Sequence, residues 1–182
     1  MKKILVCGAV LALAPYAAAD AVINVQEVGA DVHATLSGSI DLAALGALIS
    51  QSPGFNGYLA SGGNISMNSS NSDYYAMDVN WTAFGAGGFG NWDISGGDAF
   101  HMFSNPVLGL PVGYTSNSPL SASATKLGSS FASLGFSTGS WVTKLTGPNG
   151  VSDTVTVNIG VPTPGAFALL GLAGVGAARR RR

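Results

Sequence analysis

The sequence predicts an all-β fold: one antiparallel β-sandwich-like domain over residues 20–160, flanked by an N-terminal signal helix and a C-terminal hydrophobic helix. Three observations carry this prediction. Apolar and polar residues alternate at period two in several stretches, the pattern of strands with one buried and one solvated face. Glycine-rich turn sequences fall between those stretches, as hairpins require. Basic charge is confined to the ends, where six of the eight Lys and Arg residues sit, so the middle of the 182-residue chain is a separate unit. That unit has the size of a single ordinary domain, roughly 100–150 residues.

The first segment, 1–19, reads as a secretory signal peptide. Lys2 and Lys3 precede an apolar run at 4–13, followed by Pro15 and by Ala17, Ala18 and Ala19. A basic start, a short apolar stretch and small residues before a cut site are the three parts of such a peptide. Cleavage by signal peptidase is expected after Ala19. Cys7 lies within the apolar run, so the body from Asp20 onward contains no cysteine and owes nothing to disulfides.

Within the body, a strand over 22–28 is followed by the turn Gly29-Ala30-Asp31. Val32, Ala34, Leu36, Gly38 and Ile40 then share one face, with His33, Thr35, Ser37, Ser39 and Asp41 on the other. Asp41 is placed to cap a short helix or turn over 41–49. The Ser/Asn/Gly-rich stretch 62–72 reads as a loop. Tyr75, Met77, Val79 and Trp81 predict a further strand, with Asp78, Asn80 and Thr82 opposite. Gly147-Pro148-Asn149-Gly150 joins a strand at 140–146 to one at 151–159, a hairpin. No repeat and no interdomain linker interrupts this order.

Charge limits the partners. The body carries nine acids against Lys126 and Lys144, a net charge of −7, which repels a polyanion and excludes nucleic acid as a partner.

Catalytic patterns are sparse. The run Gly85-Ala86-Gly87-Gly88-Phe89-Gly90 satisfies G-x-G-x-x-G, but a dinucleotide site needs a helix opening there and an acid about 20 residues later. Neither follows, so the run reads as a glycine-rich loop and no cofactor is expected. His33 falls on the polar face of its strand and reads as solvated, whereas His101, between Phe100 and Met102, reads as packed. Neither belongs to a zinc cluster or a triad, and there is no G-x-S-x-G elbow. Asp93 and Asp98 are the candidates for calcium binding or for a glycosidase carboxylate pair. Trp81, Trp92 and Trp141, with Tyr58, Tyr74 and Tyr114, form either core or a sugar-stacking platform, and the alternation places Trp81 in the core.

The last segment, 161–182, has three parts. Val161, Pro162, Thr163 and Pro164 come first, then an apolar run at 166–178, then Arg179, Arg180, Arg181 and Arg182. Thirteen helical residues reach only about 20 Å, short of a ~30 Å hydrocarbon core, unless the span starts earlier and the arginines snorkel. With the body exported, the arginines hold the C-terminus inside. Pro162 and Pro164 keep the backbone extended, as a processing enzyme requires of its substrate.

This tail resembles the PEP-CTERM sorting domain of exported bacterial proteins, with Thr163 where the family usually has Glu. The resemblance implies sorting by an exosortase, a membrane-embedded cysteine transpeptidase of bacteria that make extracellular polysaccharide. The body, from Gly113-Tyr114 through 119–125 and 131–135 to the closing hairpin, is similar to small secreted β domains that carry such tails. The resemblance implies a surface or matrix protein. The expectation is therefore an exported, non-catalytic, structural or adhesive protein, transiently held in the inner membrane, with extracellular polysaccharide as a possible partner. Two alternatives stand beside it: a carbohydrate-binding module using exposed, coplanar Trp92 and Tyr58, and a glycoside hydrolase using Asp93 and Asp98 about 5–9 Å apart.

Overall fold

The computed structural model describes residues 20–161, so the signal segment, all of the tail beyond Val161 and both expected terminal helices lie outside the described residues. Thirteen strands form two sheets. In chain order they are β1 (Asp20–Val28), β2 (Asp31–Gly38), β3 (Leu48–Pro53), β4 (Gly57–Leu59), β5 (Asn64–Met67), β6 (Asn71–Ala76) and β7 (Phe89–Asn91). There follow β8 (Ile94–Gly97), β9 (Phe100–Phe103), β10 (Val107–Pro111), β11 (Leu120–Lys126), β12 (Gly139–Thr146) and β13 (Ser152–Ile159). The six-stranded sheet runs β12-β13-β1-β2-β11-β8 and the seven-stranded sheet β3-β6-β10-β9-β5-β4-β7.

Alternation decides which faces meet. Ala21, Ile23 and Val25 of β1, Val32, Ala34 and Leu36 of β2, and Val155, Val157 and Ile159 of β13 are buried from the first sheet. Ile65, Met67, Phe100, Met102, Leu108 and Leu110 are buried from the second, and both sets belong to one apolar cluster. Each buried Val, Ile, Leu, Phe or Met among them contributes about 1.5–3 kcal/mol, which makes this layer the main stabilising element. The small residues Ala21, Ala34, Ala122 and Ala124 leave room for the large ones opposite.

The local signals place several elements as expected. Gly29 turns β1 into β2 with φ +66°, a backbone that favours glycine. Asp41 caps a 3-10 turn, Leu42–Ala44, by accepting from the Ala43 amide. The hairpin β12–β13 pairs in register from Gly139 with Ile159 to Thr146 with Ser152. The one α-helix among the described residues, α1 (Phe131–Leu134), is held by a reciprocal Ser130–Ser133 capping box and stopped by Gly135 at φ +69°.

Three expectations are corrected. The sheets are not wholly antiparallel, because β1 and β13 pair in parallel, Asp20 with Thr154 through Val25 with Ile159. A crossover between chain ends leaves no local trace in the sequence. The stretch 62–72 is not all loop, since β5 buries Ile65 and Met67 completely; two apolar residues among polar ones suffice when both neighbouring strands supply ladder partners. The strand expected at 75–81 instead ends at Ala76, because Met77 makes the last backbone contact, to Pro106, and no partner strand continues beside 78–81.

Candidate functional site

The acids are the most reactive groups in the body, and the fold uses almost all of them on its own backbone. Asp31 accepts from the Gly128 amide at 2.8 Å, Asp73 from Gly113 at 2.8 Å and Asp153 from Asp41 at 2.6 Å, while Glu27 accepts from Phe131. Each carboxylate thereby fastens a turn or a chain crossing that no ladder reaches. Charge-assisted bonds of this kind are roughly twice as strong as neutral ones.

Asp93 and Asp98 belong to the same scheme. Asp93 accepts from Lys126 Nζ and from the Leu127 amide, both at 2.8 Å, and Asp98 from the Ser121 amide at 2.8 Å. The Lys126 hydrogen bond holds the Asp93 carboxyl below its ordinary value and raises the Lys126 ammonium correspondingly. The two acids flank β8, which pairs regularly with β11. Five residues of extended chain separate their Cα atoms by ~16 Å, well beyond the roughly 5–9.5 Å of a glycosidase pair. Among the described residues no three His, Cys, Asp or Glu side chains cluster as metal ligands.

The glycine-rich run is a packing device. Ala86 and Gly87 donate to the Gly135 carbonyl at 3.0 and 3.1 Å, and a Cβ on Gly85 or Gly87 would overlap the backbone of Gly135 or Leu134. The chain then continues into β7 rather than a helix, so no helix N-terminus is offered to a pyrophosphate.

The proposed Trp92–Tyr58 platform is not on the surface. Trp92 and Tyr58 are 3% and 4% exposed, tilted by 55°, with the indole donating to the Ser66 carbonyl at 3.1 Å. Trp81 is buried as well, and Trp141 is half-buried against Phe84. Tyr74 and Tyr114 are also buried; the Tyr114 hydroxyl receives the Ile40 amide at 3.0 Å and donates to the Ser118 carbonyl at 2.5 Å.

Both histidines are placed by their strands. His33 is half-buried on the outer face of β2, with Nδ1 3.1 Å from Thr125 Oγ1. His101 has no exposure and packs in a three-ring cluster with Tyr74 and Phe103, all centroids lying within 6.0 Å of one another. Its burial depresses the imidazole from 6.5 to about 4, with the Phe55 backbone pulling weakly the other way. The Ser72 hydroxyl lies 3.1 Å from the Ser70 carbonyl and 2.9 Å from His101 Nε2. This histidine–serine pair is closed to solvent.

Above that cluster the fold makes a feature that the sequence reading missed. A shallow cleft of about 310 Å³ lies beside β3, lined by Ile49, Ser50, Ser52, Tyr74, Phe103 and Asn105 among others. Its residues come from β3, β6, β9, β10 and the turn between β9 and β10, and only sheet pairing unites them. The chain matches no protein-family model, no curated protein and no solved structure.

Proposed function

We propose that this chain is the precursor of an exported surface or matrix protein with a structural or adhesive role. Signal peptidase cuts it after Ala19, and an exosortase-type transpeptidase sorts it at the segment Val161, Pro162, Thr163 and Pro164. One observation carries the reading. Among the described residues the ladder that closes the core pairs Asp20–Val25 of β1 with Thr154–Ile159 of β13, and the expected sorting motif at 161–164 follows its C-terminal end. Gly160 donates to the Val25 carbonyl at 2.9 Å and Gln26 holds the Val161 carbonyl at 2.8 Å, so the chain is fastened up to the first residue of the motif. Every core position among the described residues lies between the two expected cuts. Mass spectrometry of the protein recovered from the surface of the producing bacterium tests this. The expected product begins at Asp20 and lacks Arg179, Arg180, Arg181 and Arg182; an intact arginine cluster on the surface form refutes the sorting step.

A second reading, carbohydrate binding, is favoured by the cleft beside β3 rather than by the tryptophans. An aromatic ring with hydroxyl and amide groups around it is the chemistry that stacks on and hydrogen-bonds a sugar. NMR titration with the producer's own polysaccharide is expected to shift the Phe103 and Asn105 signals. Shifts scattered over the whole surface, or none, refute it.

A further inference from the structure

Among the described residues two open sheets leave four edge strands, β12 and β8 in one and β3 and β7 in the other. An unpaired edge is a template for another strand unless it is blunted by brevity, a bulge, proline or charge. Three of these edges are blunted. The β7 strand has three residues and β8 four, the latter ending in Gly96 and Gly97, while β3 is bulged between Leu48 and Ser50 and ends in Pro53. The β12 edge is different: it has eight residues, pairs without interruption along β13, and contains no proline. Outside its ladder to β13, Gly139–Thr146 makes no backbone hydrogen bond to any described residue. Val142, in the middle of its outer face, is 66% exposed, the highest value among the large apolar side chains of the described residues.

We propose that β12 is a homodimerisation edge, at which two copies pair antiparallel about a two-fold axis at Val142 and fuse two six-stranded sheets into one of twelve strands. The sequence of the edge selects both partner and register. Side chains on one face must meet side chains on the same face, so the two-fold axis passes through a residue and not between two. A centre at Lys144 sets two ammonium groups against each other, and a centre at Thr143 sets each Lys144 against the exposed Val142. The register centred on Val142 places valine on valine, Lys144 opposite Ser140, and Thr143 opposite Trp141, covering the half-buried indole. The strand is also self-compatible in charge. It carries one of the two lysines of a body with net charge −7 and no acid, so two copies meet where their repulsion is least. Association through β12 does not depend on how the chain is exported or sorted.

The test uses the full chain in a Cys7→Ser background, in which no thiol remains. The parent is expected to sediment as a dimer. Val142→Cys is expected to form a disulfide dimer on mild oxidation, because residues paired across an antiparallel ladder have Cα atoms about 4.5–5.5 Å apart, within disulfide reach. Ile94→Cys and Ile49→Cys, on the β8 and β3 edges, are expected to stay uncross-linked. Val142→Lys is expected to sediment as a monomer that still melts in one cooperative transition, at a temperature lowered by the loss of association. A parent that is monomeric at its highest soluble concentration overturns the inference, as does cross-linking at Ile94→Cys or Ile49→Cys in place of Val142→Cys. A Val142→Lys variant that remains dimeric overturns it equally.

Discussion

Acidification should unfold this protein through one imidazole before it does so through the carboxylates. His101 has no exposure, and its ring is fixed by Ser72 Oγ at 2.9 Å and by the neighbouring rings of Tyr74 and Phe103. Its value falls from 6.5 to about 4 in the fold, so the unfolded chain takes up the proton first as pH falls. Stability from this group is complete above 6.5 and is lost progressively down to about 4. At about 1.4 kcal/mol per pH unit, the loss is about 2 kcal/mol at pH ~5 and about 3 kcal/mol at the lower limit. Against a usual total of roughly 5–15 kcal/mol this is a large share.

Asp153 works in the opposite sense. Burial raises its carboxyl, so its contribution is present below the unfolded value of 3.8 and is lost as pH rises through the folded one. The comparison that isolates His101 is urea unfolding of the wild type and His101→Gln at matched pH values between about 8 and 5. The wild type should lose about 2 kcal/mol over that range, and the variant much less. NMR resolves both histidines, and the His101 signal should stay unprotonated through pH ~5. A His101 midpoint near 6.5, or the same pH dependence in both proteins, refutes the reasoning.

Other substitutions probe the remaining elements. Phe100→Ala, at a site with no exposure between the sheets, should cost about 3–5 kcal/mol in denaturant titration. A Cβ on Gly54 would overlap the His101 imidazole, so Gly54→Ala should destabilise by about 1–3 kcal/mol and move the His101 NMR signal. Tyr114→Phe strands the Ile40 amide that its hydroxyl receives at 3.0 Å; thermal melts should report a loss of about 1–3 kcal/mol. Because the Asp93 and Asp98 oxygens accept from Leu127, Lys126 and Ser121, chelator should leave the melting temperature unchanged. A drop on adding EDTA that calcium reverses would restore the metal reading.

Much of the fold was legible where the signal is local. The alternation from Val32 to Leu36 and from Val155 to Ile159 marks the buried face residue by residue, and all of these inward positions are buried. The Asp41 cap and the hairpin at 147–150 follow equally from short-range chemistry. The strands β4, β7 and β8 were not legible, because three or four residues rich in glycine and polar side chains carry no period of their own. The candidate site was less legible still. Asp93 and Asp98 read as free carboxylates because their partners, Leu127 and Ser121, lie 34 and 23 residues away along the chain.

By itself, then, the sequence determined a β-rich, cysteine-free, acidic body and the basic segments on either side of it, since alternation, turn chemistry and charge are written in neighbouring residues. Only the tertiary structure decided which strands are neighbours, and four consequences follow from that. It set β1 beside β13 in parallel, turned most of the acids onto backbone amides, closed Trp92 and His101 away from water, and made β12 the long edge strand among the described residues. Strand pairing joins residues more than a hundred positions apart, and no local pattern records such a contact.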